Sequence, residues 1–281
     1  MFNIDRKKHT AEIIIPLYKE VPSNDDLLSI RQCFNVLSNY PIVVVKPAGL
    51  QLDYYPFHFD RVENFEAKYF QGIAGYNSLM LSEDFYVKFL QSSYILIYQT
   101  DAFVFSDQLD YWCKQNYDYI GAPWLYRDYV DKAKFIKESI RGWAHRRFNI
   151  KDAVSGLPAE LQFHNVVGNG GFSLRKVELF HRICKKYKFL IDYYLQHPEK
   201  QFNEDVFWSI EINRKKRHLR VPDYKKALTF SIESYPVLAW SLVNQKLPFG
   251  CHGWDKCRDF WKPILKIKDM IYSLMINWFF I

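Results

Sequence analysis

Four short segments carry polar side chains of the types that bind charged ligands or transfer protons. Asp101 ends the triplet 99–101, and residues 203–205 place two adjacent carboxylates in the sequence Asn-Glu-Asp. Residues 168–173 contain three glycines, and His252 lies in a segment flanked by glycines. A carboxylate and an imidazole can hold a divalent cation, and such a cation can hold a diphosphate. A second carboxylate could then act as a general base.

The position of Asp101 needs a physical reason. Residues 94–98 are apolar, β-branched or aromatic, which predicts a buried strand that ends just before this aspartate. Aspartate is a poor strand former and is costly to bury without a partner. In open α/β sheets, ligands bind outside the carboxyl ends of the strands, where an acidic residue can hold a cation. The ordinary alternative is that Asp101 caps the following turn.

The other three segments are also open to structural explanations. The glycines at 168–171 let the backbone approach a ligand closely, but Ser173 occupies the third glycine position of a dinucleotide fingerprint, and the turn comes late in the chain. Capping and the helix dipole partly explain Glu204 and Asp205. His252 could face a metal ion or serve the structure alone.

The elements that must position these residues begin with a strand–helix–strand unit. A strand is predicted over 12–20, a helix from 27 to 37 with capping residues at 23–26, and a second strand over 40–47. This spacing predicts a parallel sheet with a right-handed crossover. The sequence further predicts helices at 75–81, 85–90, 176–186 and from 203, a helix or turn at 112–119, strands at 119–124 and 227–233, and a loop at 248–254.

Two segments differ from this α/β pattern. Residues 125–160 are rich in lysine and arginine, and we interpret them as a helical insertion or lid, with a solvated basic helix face as the alternative. Residues 261–281 form an amphipathic C-terminal segment that is too interrupted by charge to span a bilayer. This segment could lie on a membrane surface or dock on the core. The predicted organisation is one domain over 1–260, followed by this tail.

Composition narrows the function classes. The 281 residues are 49% hydrophobic and 18% aromatic, with a net charge of +7, which suits partners that carry phosphate. Five scattered cysteines and a polar N-terminus predict free thiols in a reducing, cytoplasmic environment. No esterase elbow or phosphate-cradling loop is present, and no recognised nucleic-acid motif accompanies the basic stretch, so we expect no nucleic-acid partner.

The order and spacing of the motifs resemble those of a bacterial glycosyltransferase-like family of the GT-A type. The resemblance covers residues 10–260. It rests on Gln-Thr-Asp at 99–101, Ile-Gly-Ala-Pro-Trp at 120–124, Gly-Asn-Gly-Gly-Phe-Ser-Leu-Arg at 168–175, Asn-Glu-Asp at 203–205 and His-Gly-Trp at 252–254. It implies a single Rossmann-type domain with a mostly parallel central sheet flanked by helices.

The resemblance also implies roles for individual residues. Asp101 matches the last acid of an Asp-x-Asp metal motif, and His252 matches the histidine that completes the site for Mn²⁺ or Mg²⁺. Gln99 replaces the first acid, which removes one charge from the metal site. Asp205 is the expected catalytic base, with Glu204 as the second choice.

Donor and acceptor residues follow in the same way. The nucleotide-sugar donor is expected at Pro16, Tyr18, Glu20, Gln99, Thr100 and Asp101. The acceptor is expected at Trp124, Gly170, Gly171 and Trp254, where the tryptophans could stack on a sugar.

The resulting hypothesis is a glycosyltransferase that moves a sugar from a nucleotide donor, expected to be a UDP-sugar, to a saccharide or lipid-linked acceptor with inversion. Its expected setting is cell-surface polysaccharide biosynthesis at the inner face of the cytoplasmic membrane. The hypothesis requires Asp101, Asp205 and His252 to line one cleft. The alternative, favoured by Gln99, is a catalytically inactive α/β module that binds a saccharide or a nucleotide.

Overall fold

The computed structural model describes residues 9–126 and 132–265. Its strands are β1 His9–Pro16, β2 Ile42–Pro47, β3 Arg61–Phe65, β4 Ser92–Tyr98, β5 Ala102–Val104, β6 Tyr119–Ile120, β7 Pro123–Trp124, β8 Val166–Val167, β9 Phe172–Lys176, β10 Ser231–Ile232 and β11 Gly250–His252. Its helices are α1 Asn24–Leu37, α2 Gly72–Met80, α3 Glu83–Val87, α4 Leu109–Lys114, α5 Lys132–Phe148, α6 Val177–Lys186, α7 Lys188–Leu195, α8 Glu204–Ser209, α9 Tyr224–Leu228, α10 Pro236–Leu242 and α11 Arg258–Leu265.

The chain opens with the predicted strand–helix–strand unit. Ser23 caps α1, and its hydroxyl accepts from the backbone N–H of Asp26, whose carboxylate in turn accepts from the N–H of Ser23. This reciprocal capping satisfies two of the N–H groups that a helix start leaves unpaired. β1 then pairs with β2 in parallel, so the crossover predicted from sequence is present.

The central sheet has six strands in the order β3-β2-β1-β4-β9-β6. β1 to β4 are mutually parallel, and β9 is antiparallel to both of its neighbours. Consecutive residues of β1, β2 and β4 are fully buried, which means that both faces of the sheet are covered. The predicted α/β fold with a mostly parallel central sheet and flanking helices is therefore confirmed.

The order of the strands creates a switch point beside β1. The chain moves from β1 outward to β2 and β3, then returns to place β4 on the other side of β1. At such a point the connections leave the sheet in opposite directions, and a crevice opens outside the carboxyl ends of the two strands. Pro16 ends β1 and Tyr98 ends β4, so the crevice is bordered by the residues that follow them.

Two small sheets lie beside the central one. β10, β11 and β5 form the first, in which β11 runs antiparallel to β5 and pairs His252 with Ala102. β7 and β8 form the second. Since β5 starts one residue after Asp101, the pairing of β11 with β5 brings His252 to Asp101 across 150 intervening positions of sequence.

Several predicted boundaries were wrong for identifiable reasons. β3 was missed because this edge strand is half solvated and carries polar residues. The strand predicted at 119–124 is two strands in different sheets, which are separated at Gly121. Helix α9, which Asp223 caps, ends at Leu228 and so takes up the start of the strand predicted at 227–233, of which only Ser231–Ile232 is extended. The loop predicted at 248–254 contains β11.

Within the described part of the basic insertion, helix α5 spans Lys132–Phe148. Arg146 donates to the backbone oxygens of Gln162 and His164 at 3.2 and 3.0 Å, and Arg147 donates to the oxygen of Arg214 at 2.7 Å.

The predicted C-terminal helix begins earlier than expected, at Arg258, and residues 266–281 of that tail lie outside the described residues. Among the helices that the structure describes, none is sufficiently long and apolar to cross a bilayer.

Candidate active site

A cavity of about 480 Å³ lies at the switch point of the central sheet. Five of the six residues predicted to bind the donor line it, namely Pro16, Tyr18, Gln99, Thr100 and Asp101. Glu20, the sixth, is exposed and does not line this cavity. The volume falls within the range of small-molecule sites in proteins, roughly 300–1,000 Å³. Its lining also includes Tyr69, Phe70 and Tyr76, aromatic rings that a nucleobase or a sugar could contact.

A tight turn holds Asp101 between β4 and β5. The backbone N–H of Gln99 donates to the oxygen of Gly171, and that of Ala102 donates to the oxygen of Gln99, both at 2.9 Å. The backbone oxygen of Asp101 accepts from the N–H of Trp254 at 3.2 Å. Because its backbone is fixed on both sides, the Asp101 side chain has a defined direction toward His252.

His252 is the centre of a polar cluster. Its Nε2 lies 3.0 Å from Oδ1 of Asp101 and 3.0 Å from Oε1 of Gln99. Its Nδ1 lies 3.1 Å from Oε1 of Glu233 and 2.8 Å from Nδ2 of Asn169. The imidazole is thus held between two carboxylates, one on each nitrogen.

The electrostatics of the cluster follow from this arrangement. Burial by itself would lower the pKa of His252, but hydrogen bonds to Asp101 and Glu233 raise that pKa to about 10. Burial would raise the pKa of Asp101 and of Glu233, but the hydrogen bond from His252 lowers the pKa of each. The cluster is thus an imidazolium between two carboxylates.

The same atoms have spacing suitable for a metal ion. In an octahedral site with metal–ligand distances of about 2.1 Å, neighbouring ligand atoms are about 3.0 Å apart. Nε2 of His252 has this separation from an oxygen of Asp101 and from one of Gln99. Within 9–126 and 132–265 no cluster of three or more His, Cys, Asp or Glu residues could hold a metal. An ion here would need the Gln99 amide oxygen and oxygens from a bound ligand.

The glycine turn separates this cluster from the next carboxylates. A Cβ on Gly171 would overlap the His252 ring, and a Cβ on Gly170 would overlap the Glu204 carboxylate. The residue before them, Asn169, has a φ of 58° and its side-chain oxygen accepts from the N–H of Gly171 at 2.9 Å. Both glycines are buried, and neither lines the switch-point cavity or the cavity that contains Asp205. They allow close approach between protein groups, and their contact with an acceptor stays a prediction.

A second cavity, of about 600 Å³, contains the predicted base. Asp205 lines it together with Trp124, Phe163, Tyr126 and Lys200. Trp124 packs edge-on against Phe163 with 5.0 Å between the ring centroids, and it is partly exposed. The cavity combines aromatic rings with a carboxylate, as in sites that bind a polar, ring-shaped ligand such as a sugar.

Asp205 has a strongly perturbed carboxyl group. Its burial, followed by the charges of Glu204 and Glu233, raises the pKa of Asp205 to about 7. The backbone N–H of Val206, which donates at 2.9 Å, opposes this shift only in part. A carboxylate that titrates near neutral pH is well suited to accept a proton from a hydroxyl group.

Glu204 cannot share this role, which corrects the second choice made from sequence. Its carboxylate is buried, and its Oε1 accepts from Nη2 of Arg175 at 3.0 Å. Arg175 is itself fully buried and also donates to Tyr86 and Ser173, at 3.0 Å each. A carboxylate with this partner and no access to a cavity cannot reach a substrate. The Glu204–Arg175 pair is therefore a buried structural ion pair.

Asp101, His252 and Asp205 do not line one common cavity. Asp101 and His252 are in contact, whereas Asp205 lines the second cavity. The two regions are adjacent, since Glu233 contacts His252 and its charge raises the pKa of Asp205. Tyr76 lines the first cavity, and burial together with the charges of Glu204 and Asp205 raises its pKa.

Trp254 was predicted wrongly as an acceptor residue. Its ring is fully buried and packs on Phe103 with 5.6 Å between centroids, and the guanidinium of Arg258 lies 5.2 Å from the ring. No face is left for a sugar. Sequence reasoning also missed Glu233, which had no motif to mark it and reaches His252 only through the pairing of β10 with β11.

The fold and the cavities define a class: an open α/β domain with a cavity at the switch point of its sheet. The chain belongs to the family described as "Protein of unknown function (DUF5672)", which it matches over residues 60–252. A comparison with curated proteins found no match.

Solved structures with a similar fold include three transferases. Core-mannan synthase A from Aspergillus fumigatus, in its Mn/GDP form, has a TM-score of 0.47 and 12% identity over 78% of this chain and 75% of its own. Mouse xyloside xylosyltransferase 1 has a TM-score of 0.45 and 12% identity, with 86% and 97% covered. The galactosyltransferase LgtC, bound to donor and acceptor sugar analogues, has a TM-score of 0.46 and 10% identity, with 86% of both chains covered.

Proposed function

We propose that the protein is a glycosyltransferase that moves a sugar from a nucleotide-sugar donor to a hydroxyl group of an acceptor. The observation that carries this proposal is the contact between Asp101 and His252 beside a cavity at the sheet switch point, with Asp205 in an adjacent cavity. One region could hold a diphosphate, and the other could hold the group that accepts the proton.

In this proposal the nucleotide occupies the first cavity. Tyr18 is 57% exposed at its rim, which leaves a ring face open to a nucleobase. Asp101, His252 and Gln99 would hold Mn²⁺ or Mg²⁺, and the ion would neutralise charge on the leaving diphosphate. Thr100 lines the same cavity and offers a hydroxyl group to the ribose or the phosphates. We infer a UDP-sugar donor from the sequence motifs alone.

Asp205 is the proposed general base. With a pKa of about 7, it is substantially ionised at neutral pH and still basic enough to take a proton. It would remove the proton from the acceptor hydroxyl as that oxygen attacks the anomeric carbon from the face opposite the diphosphate, which inverts the configuration. Trp124, in the same cavity, would stack on the acceptor sugar. A saccharide or lipid-linked acceptor, a hexosyl donor group and a role in bacterial surface-polysaccharide synthesis complete the proposal.

Substitution of Asp205 tests this assignment. Asp205→Asn should reduce transfer by roughly 10²–10⁴-fold, because that is the usual contribution of a general base. Binding of UDP, measured by calorimetry, should change little, since Asp205 does not line the donor cavity. Asp192→Asn is the matched control, because Asp192 is an exposed aspartate in an ion pair with Lys188. Turnover near that of the control would refute Asp205 as the base.

A second function has its own support. The described residues contain no cluster of three or more His, Cys, Asp or Glu residues able to hold a metal, and Gln99 supplies one charge fewer than an aspartate would. These observations favour an α/β module that binds a nucleotide or a saccharide without turnover. Calorimetry with UDP in the presence and absence of Mn²⁺ separates the two functions. Metal-independent binding with no transfer would favour the binding module.

A further inference from the structure

Helix α5 exposes a row of large apolar side chains to solvent. Ile136, Ile140 and Trp143 are 58%, 62% and 56% exposed, and their spacing of four and three residues places them on one face of the helix. Phe148, at the end of α5, is 67% exposed and packs edge-on against Trp143 with 6.0 Å between centroids. Large apolar side chains grouped on one exposed face mark an interaction surface more often than scattered ones do.

The charge around this row is mainly positive. α5 carries six lysines and arginines and a single acid, Glu138. The Glu138 side chain is only 13% exposed and pairs with Arg141 at 2.8 Å. Lys132 and Lys137 are exposed, and the helical periodicity places them beside the apolar row. The outer surface of α5 is thus apolar along its centre and basic at its edges.

We propose that α5 binds the surface of an anionic phospholipid bilayer. A helix with bulky apolar residues on one face and lysines or arginines beside them lies in the membrane interface, where the apolar side chains enter the acyl boundary and the cations meet lipid phosphates. The charge argues for this occupant over a second copy of the chain, because two basic α5 surfaces would repel each other. Helix α5 is a different segment of the chain from residues 261–281, on which the expectation of membrane contact was based.

The inner face of α5 connects this surface to the second cavity. The Nδ1 atom of His164 lies 3.1 Å from the backbone oxygen of Glu138, and Arg146 donates to the backbone oxygen of His164. His164, Leu161 and Phe163 line the cavity that contains Asp205. A bilayer under α5 would therefore lie one helix away from the predicted acceptor cavity. Such a position would give the cavity access to an acceptor carried by a lipid, and this consequence rests on the proposed function. The membrane contact itself does not depend on that function.

Vesicle flotation with the full chain tests the contact. The wild type should float with vesicles of phosphatidylcholine and phosphatidylglycerol and should bind pure phosphatidylcholine far more weakly. Replacing Ile136, Ile140 and Trp143 together with serine should lower the partition coefficient by about 10-fold or more. Phe189→Ser is the matched control, because this α7 side chain is 90% exposed and lies outside the basic helix. All substituted positions are exposed, so circular dichroism should show unchanged folding.

A charge series tests the electrostatic part. The double variant Lys132→Gln and Lys137→Gln should weaken binding to anionic vesicles by roughly 5-fold per lysine at 0.1 M salt. Lys185→Gln with Lys225→Gln removes the same charge from α6 and α9 and should have a smaller effect. Equal loss in both double variants would overturn the proposal, as would serine variants that float like the wild type.

Three other results would distinguish membrane binding from self-association and from the proposed enzyme activity. Self-association of the wild type that the triple serine variant abolishes, measured by analytical ultracentrifugation, would identify a second copy as the occupant and refute the lipid. Vesicle binding without any sugar transfer would uphold the membrane contact and refute only the enzyme. Transfer to a soluble acceptor without vesicle binding would refute the membrane contact and leave the enzyme in place.

Discussion

Replacement of Asp205 by asparagine should stabilise the protein at alkaline pH, and this effect can be measured without an activity assay. An aspartate in the unfolded chain loses its proton near pH 4, whereas burial and the charges of Glu204 and Glu233 raise the pKa of Asp205 in the folded protein to about 7. Between these two values the folded state binds more protons than the unfolded state. Its free energy of unfolding therefore falls as the pH rises through this interval.

The size of the effect follows from the separation of the two pKa values. A difference of about 3 units corresponds to about 4 kcal/mol above pH 8, and the effect vanishes near pH 4. Asp205 lies in the first turn of α8, where the helix dipole favours a negative charge by roughly 0.3–1 kcal/mol, and the asparagine loses that contribution. We expect Asp205→Asn to be about 2–4 kcal/mol more stable than the wild type at pH 8. That difference corresponds to roughly 5–10 °C in Tm.

The assay is thermal unfolding of both proteins from pH 4 to pH 9, with Asp192→Asn as the control. The difference in Tm between Asp205→Asn and the wild type should be small at pH 4, grow through pH 7 and level off above pH 8. Asp192→Asn should show no such growth. A difference that does not depend on pH, or a wild type that is the more stable protein at pH 8, would refute a raised pKa at Asp205.

Two further predictions concern the polar cluster around His252 and the buried side chain of Trp254. Glu233→Gln should weaken Mn²⁺ binding by roughly 10–100-fold, because the Glu233 carboxylate holds the His252 imidazole through Nδ1. Electron paramagnetic resonance of free Mn²⁺ measures the binding affinity, and Glu178→Gln is the control. An unchanged affinity would show that Glu233 does not position His252. Trp254→Ala should cost about 3–5 kcal/mol of stability in denaturant unfolding, since its ring is fully buried. Its KM for the acceptor should stay near the wild-type value, and a raised KM with normal stability would restore the acceptor role.

Local chemistry accounts for the parts of the fold that sequence predicted well. The capping box at Ser23 and Asp26 and the apolar runs of β1, β2 and β4 depend on residues within a few positions of each other. Hydrophobic periodicity and capping report such interactions directly. Strands with two or three residues, such as β10 and β11, have no periodicity of their own and exist only because a partner strand pairs with them.

The cluster around His252 shows the same difference between features set by local sequence and features set by distant partners. Asp101 could be singled out because a carboxylate after a buried strand is unusual in any fold. The contact between His252 and Asp101 was expected only through motif resemblance, and Glu233 was not expected at all. Its position depends on the register of β10 against β11, which neither segment encodes by itself.

Sequence alone determined that the chain folds as an α/β domain and that a carboxylate follows the strand at the centre of the sheet. Tertiary structure decided what each polar residue can do. It buried Glu204 against Arg175 and closed Trp254 inside the core, while it left Asp205 in a cavity with a raised pKa. The physical reason is that a side chain's access, its pairing and its proton affinity depend on neighbours that are distant in sequence, so residue type and spacing do not determine them.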